Sequence, residues 1–140
     1  MAFRGSVSWP LTVAVAEALL ADGAFTALCG AGGVYADDVP EGTPLPYVQF
    51  GSSTENADDS FMRTGRATFL DVHIFASTRE SAMAVYDAAA NVVNGESVLD
   101  AASGMAQWRG TLSLTAIIRD PTGAAHVVGN YQCQSVEVFA

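Results

Sequence analysis

The sequence predicts an α+β fold in a single domain, with an antiparallel sheet and two main helices packed on one face. Three observations carry that expectation. Residues 9–21 and 79–94 repeat their apolar side chains at helical spacing, whereas residues 67–76, 105–119 and 125–138 alternate with a period of two. The 140 residues suffice for one hydrophobic core and are too few for two.

The first helix is read over residues 9–21, where Leu11, Ala14, Val15, Ala18 and Leu19 share a face, Pro10 stands near the start and Gly23 acts as breaker. A short turn through Phe25, Leu28 and Cys29 stops at Gly30, and Gly32 and Gly33 lead into a brief strand at Val34 and Tyr35. Residues 40–50 then read Pro-Glu-Gly-Thr-Pro-Leu-Pro-Tyr-Val-Gln-Phe. Pro40, Pro44 and Pro46 fix φ, remove backbone donors and push each preceding residue toward extended geometry. Such a stiff rail runs outside a sheet or along its edge, as a docking segment or as an ordinary connection. It delivers the chain to a strand over residues 47–51.

Residues 52–66 are polar and without pattern, an excursion of the kind that is functional or mobile. Leu70, Val72, Ile74 and Ala76 then alternate against Phe69, Asp71, His73 and Phe75 as a strand with apolar weight on both sides. Ser77 and Glu80 have the spacing of a capping box, and the helix they open buries Ala82, Val85, Tyr86, Ala89 and Val93 before Gly95 closes it. Beyond Met105, strict alternation places Trp108, Gly110, Leu112, Leu114, Ala116 and Ile118 on a packed face, and Gln107, Arg109, Thr111, Ser113, Thr115 and Arg119 on a wet one. Asp120-Pro121-Thr122-Gly123 turns the chain into a return strand, which completes a long antiparallel hairpin.

Composition narrows function. Charged residues make up 15% of the chain, against about 25% in a typical soluble domain. Little charge is therefore available to cover the outside of a monomer, which leans toward a surface partly hidden in an assembly. The formal net charge is −9, and all 6 cations are arginine. An acidic chain does not grip a phosphate backbone, so tight nucleic-acid binding is not expected. Arginine without lysine suits interfaces, and codon bias in a GC-rich genome produces the same pattern.

No catalytic, cofactor or metal site is expected. A phosphate-binding loop of the usual kind needs a lysine, and the glycines at 30, 32 and 33 follow a helical turn rather than a strand. His73 and His126 fall on strands that can be neighbours, yet no cysteine or carboxylate stands at ligand spacing from either. Asp37, Asp38 and Glu41 form one acidic knot and Glu55, Asp58 and Asp59 another, both read as solvated loop charge because neither has calcium-loop spacing. Cys29 and Cys133 read as buried thiols of a reducing compartment. The apolar run at residues 11–21 contains Glu17 and is too short to span a bilayer, so no membrane association is expected.

Taken in order, these pieces resemble the tail completion or tail terminator proteins of long-tailed bacteriophages, prophages and phage-like gene transfer agents. The resemblance is carried by the first helix, the Phe25-Thr26-Ala27-Leu28 turn, the glycine step into Val34-Tyr35, the rail, the strand at residues 70–75, the helix at residues 79–94 and the closing hairpin. Its most specific parts are Pro44-Leu45-Pro46-Tyr47-Val48 and Arg119-Asp120-Pro121, and residues 52–66 and 99–107 have no counterpart in it. The resemblance implies a structural virion protein of the tail or neck, assembled in the host cytoplasm. Copies would close into a ring, hexameric in this family, that caps the head-proximal end of the tail tube, ends its growth and joins it to the head connector or stopper protein. DNA would pass through the channel without specific binding.

The residues expected at interfaces are Pro40, Pro44, Pro46, Tyr47, Phe61, Met62, Arg63, Arg66, Arg109 and Arg119, with Arg63 and Arg66 pairing to the acidic knots of an adjacent protomer. Two other functions fit the same residues. One is a different connector component, such as a stopper or minor tail protein, and the other is a small ligand-binding or enzymatic domain using His73, His126 and Cys29.

Overall fold

The computed structural model describes residues 6–30, 33–59, 64–95, 97–119 and 121–138. In chain order the elements are α1 (Ser8–Ala21), α2 (Gly23–Cys29), β1 (Val34–Tyr35), β2 (Tyr47–Ala57), β3 (Gly65–Ala76), α3 (Arg79–Val93), a short 3-10 turn (Ala101–Ser103), β4 (Met105–Arg119) and β5 (Ala125–Glu137). The strands form one five-stranded sheet in the order β1-β2-β3-β5-β4. It is antiparallel except for β1, which pairs parallel with β2 through Val34 to Val48 and Tyr35 to Gln49. This is the expected α+β domain.

The helices cover one face of the sheet. Leu11, Val15 and Leu19 of α1, Phe25 of α2, and Ala82, Val85, Ala89 and Val93 of α3 pack against Val48, Phe50, Leu70, Val72, Ile74, Val127, Tyr131 and Cys133. Period 3.6 on the helices meets period 2 on the strands, and each fully buried leucine stabilises the fold by about 1.5–3 kcal/mol. The opposite face of the sheet carries no helix among the described residues.

Several local expectations are corrected. Gly23 does not break the first helix. Asp22, extended at ψ 123°, ends α1, and its carboxylate accepts from the Phe25 N–H, so Gly23 opens α2. The helix α3 is capped by Thr78, whose Oγ1 accepts from the Ser81 N–H at 3.1 Å, rather than by a box built on Ser77. Most of the supposed excursion is strand, since β2 continues to Ala57 and pairs with β3 from Ser53–Leu70 to Ala57–Arg66, past an irregularity between Phe50 and Ser53.

The largest correction concerns β4, the sheet's outer strand. Its pairing with β5 shifts between Gln107 and Arg109 and again between Leu114 and Ala116. Each bulge adds one residue and reverses the alternation. Met105, Gln107, Gly110, Leu112, Leu114, Ile117 and Arg119 therefore share the helix side, while Arg109, Thr111, Ala116 and Ile118 share the open side. Trp108, expected in the packed face, is left 70% exposed.

Candidate assembly surfaces

The groups with chemical potential come together only in part. His73 and His126 do lie on neighbouring strands, with Nδ1 of His73 and Nε2 of His126 2.8 Å apart. Phe75 stacks on His126 at 4.2 Å and on Tyr47 at 5.2 Å, and Tyr35 meets Tyr47 edge-on, so the two imidazoles belong to an aromatic band across the open face. Among the described residues no group of three metal-ligating side chains exists. Burial pushes the Cys29 thiol up to about 11 and the Cys133 thiol up to about 12, the opposite of an activated nucleophile.

A polar network ties the base of β4 to the core. The Gln107 side-chain oxygen accepts from the N–H groups of Val98 and Leu99, and its Nε2 donates to the Tyr131 hydroxyl at 2.8 Å. That hydroxyl in turn donates to the Val93 carbonyl. Burial and the nearby Cys133 push the Tyr131 hydroxyl up to about 12, although its bond to Gln107 pulls the other way. A side chain at Gly110 would overlap both Tyr131 and Gln107, so glycine is required where β4 crosses this network.

In the second acidic knot Asp58 and Asp59 are exposed beyond the end of β2, but Glu55 is not solvated loop charge. Glu55 lies within β2, and its Oε1 accepts from the Val7 N–H at 2.7 Å, the Ser8 N–H at 2.9 Å and the hydroxyls of Ser6 and Ser8. The helix start supplies no side-chain cap of its own, so a strand carboxylate caps α1 across the chain and complements the helix dipole. Arg66 spans Glu55 at 3.4 Å and Asp59 at 3.5 Å within the same copy. Within one copy Arg66 therefore already has two carboxylate partners. Phe61, Met62 and Arg63 lie outside the described residues.

The remaining interface candidates are at the surface. Pro40 and Pro44 are exposed, and Pro46 and Tyr47 are half-buried. The segment is not a straight rail, because Thr43 N–H donates back to the Pro40 carbonyl around Gly42 at φ 83°, and the Leu45–Pro46 bond is cis. It joins β1 to β2 at one edge of the sheet. Arg109 and Arg119 are exposed on β4 at the other edge.

Sequence reasoning missed the apolar part of that second edge, where Leu114, Ile117 and Ile118 are 44%, 38% and 47% exposed. A signal was available: 15 residues far exceed the usual strand length of about 5–6, and a strand that long without a bulge is uncommon. At the first edge, a cavity of about 270 Å³ opens between α1 and β2, with Trp9, Ala36, Phe50 and Leu70 on its walls.

Two unlike edges flank the sheet, β1 and β2 on one side and β4 on the other. Residues 13–133 match the family model described as tail completion protein gp17. The chain belongs to that family. Tail completion proteins are structural components of phage-type particles, not an enzyme class. The fold agrees: a chain from a solved structure described as the virion of a native gene transfer agent particle superimposes with a TM-score of 0.74 at 18% identity, over 95% of this chain and 99% of that one. Among curated proteins, none matches this sequence.

Proposed function

We propose that this tail completion protein closes into a homo-oligomeric ring of six copies on the head-proximal end of a tail tube, ends tube growth there and joins the tail to the head connector. The observation that carries the reading is the family match across residues 13–133. The opposite, unlike edges of the sheet support it, because a ring of identical copies needs a heterologous interface that closes on itself. The formal charge of −9 per copy supports a conduit through which DNA slides without sticking.

The test is electron microscopy of particles carrying a tagged copy, together with deletion of the gene. A tag at the tail–head junction, with tubes of uncontrolled length on deletion, is the expected result. A tag along the tube, or binding to connector rings but never to tube ends, would replace this reading with another connector role.

A further inference from the structure

His73 and His126 are 53 residues apart, so no sequence motif joins them, yet the β3–β5 ladder puts both on the open face of the sheet. His73 stands opposite Val128 and His126 opposite Phe75, which makes the imidazoles diagonal neighbours on adjacent strands. Nδ1 of His73 and Nε2 of His126 face each other across 2.8 Å. A single proton bridges two nitrogens at that distance, so at least one lone pair is aimed into the gap.

Both rings have a fixed seat. Phe75 stacks on His126 with ring centres 4.2 Å apart and planes within 17°. A side chain at Gly51 would fall 2.5 Å from Nε2 of His73 and 2.8 Å from its Cδ2, so the glycine is what leaves that ring its place. The strands beside the pair bring no cation to it: Tyr47 and Gln49 flank it on β2, and Ala116 and Ile118 on β4. The next row of the face carries Asp71, whose carboxylate accepts from Asn130 Nδ2 at 3.0 Å.

Two imidazoles on one metal ion, with bonds of about 2.0–2.1 Å at octahedral or tetrahedral angles, have ring centres about 4.5–5.3 Å apart. These two are 5.0 Å apart. Tilting each ring in its seat therefore turns both nitrogens onto a shared point while the strands stay in register.

We propose that His73 and His126 form a binding site for a divalent first-row transition ion of the zinc, nickel or copper class, coordinated through Nδ1 of His73 and Nε2 of His126. The imidazole that donates in the metal-free pair passes its proton through solvent to its own other ring nitrogen, so both coordinating nitrogens present lone pairs and the pair stays neutral. Among the described residues no group of three metal-ligating side chains exists, and water takes the other positions on the ion. Nitrogen ligands select against calcium and magnesium, which are held by oxygen. Bound metal ties β3 to β5 and stabilises the folded chain by mass action.

The test titrates the untagged full-length protein, first stripped with a chelator, by calorimetry with Zn2+, Ni2+ and Cu2+. Ca2+ serves as the control for diffuse attraction to a chain of net charge −9. One transition ion per chain is expected, with Zn2+ raising the thermal midpoint and Ca2+ bound far more weakly. His73→Gln and His126→Gln should each weaken Zn2+ binding by at least the about 10–100-fold that loss of an outer-shell partner costs. Both side chains are half-buried, and unfolding midpoints in chelator check that the variants fold. Gly51→Ala keeps both ligands but displaces the His73 ring, and should weaken binding by about 10-fold. With Cu2+ bound, electron paramagnetic resonance should show two nitrogen ligands in the wild type and one in each histidine variant. Lack of one-to-one uptake by the wild type, wild-type affinity in either histidine variant, or Ca2+ bound as tightly as Zn2+ would overturn the site. None of these outcomes bears on the ring reading.

Discussion

Glu55 shows how one side chain can carry the burden of an element start. Its carboxylate is 17% exposed and holds two backbone N–H groups, two hydroxyls and Arg66, a charge-assisted set that no local residue of α1 replaces. Glu55→Ala should lower the unfolding free energy by about 2–3 kcal/mol in urea titration, and Glu55→Gln, which keeps an acceptor oxygen, by about 1 kcal/mol. Thr68 is the converse case. It is fully buried in β3, and its hydroxyl lacks a partner among the described residues. Thr68→Val keeps the branched shape and removes the unsatisfied oxygen, so the same titration should show a gain of about 1 kcal/mol.

At the scale of elements, the start of α3 separates two readings of one sequence stretch. Ser77 has capping-box spacing to Glu80, yet the Thr78 hydroxyl makes the contact with Ser81 N–H. Thr78→Ala should cost about 1 kcal/mol of stability and Ser77→Ala a few tenths, measured by thermal unfolding. A box built on Ser77 would reverse that order. The one-residue error is typical of what sequence leaves open, because neighbouring hydroxyls compete for the same orphan donors and only backbone geometry decides between them.

Periodicity was legible wherever a strand is regular. In β3 the alternating set Leu70, Val72, Ile74 and Ala76 is buried throughout, and the set opposite it is only partly so. It failed in β4, where two bulges reverse the alternation, and at the end of β2, where polar Ser53, Thr54 and Asn56 pair with β3 but bury little. A strand held by its ladder rather than by its side chains leaves almost no trace in composition. Of the candidate site, Arg109 and Arg119 were legible as exposed cations. The internal use of Arg66 was not, because its partner Glu55 was assigned to a loop.

The whole molecule hides its ionisable core groups, and that sets how stability responds to pH. Tyr131 and Cys133 both lie in the buried cluster, and their folded values are raised to about 12, against ordinary values of 10.0 and 9.0, chiefly by desolvation. Cys29 adds to the trend, raised to about 11 from 9.0. Between pH 9 and 12 the unfolded chain therefore releases protons that the folded chain retains, so the unfolded state binds fewer protons and stability falls as pH rises. The contribution is fully present below pH 9 and disappears as pH climbs through the folded values. Unfolding midpoints in urea should thus hold level up to about pH 9 and drop steeply above it. In Cys133→Ala the protein should be less stable at neutral pH, because a cavity replaces the sulfur, yet its midpoint should decline more gently in alkali. An equally steep decline in that variant would show that Cys133 does not retain its proton in the folded core.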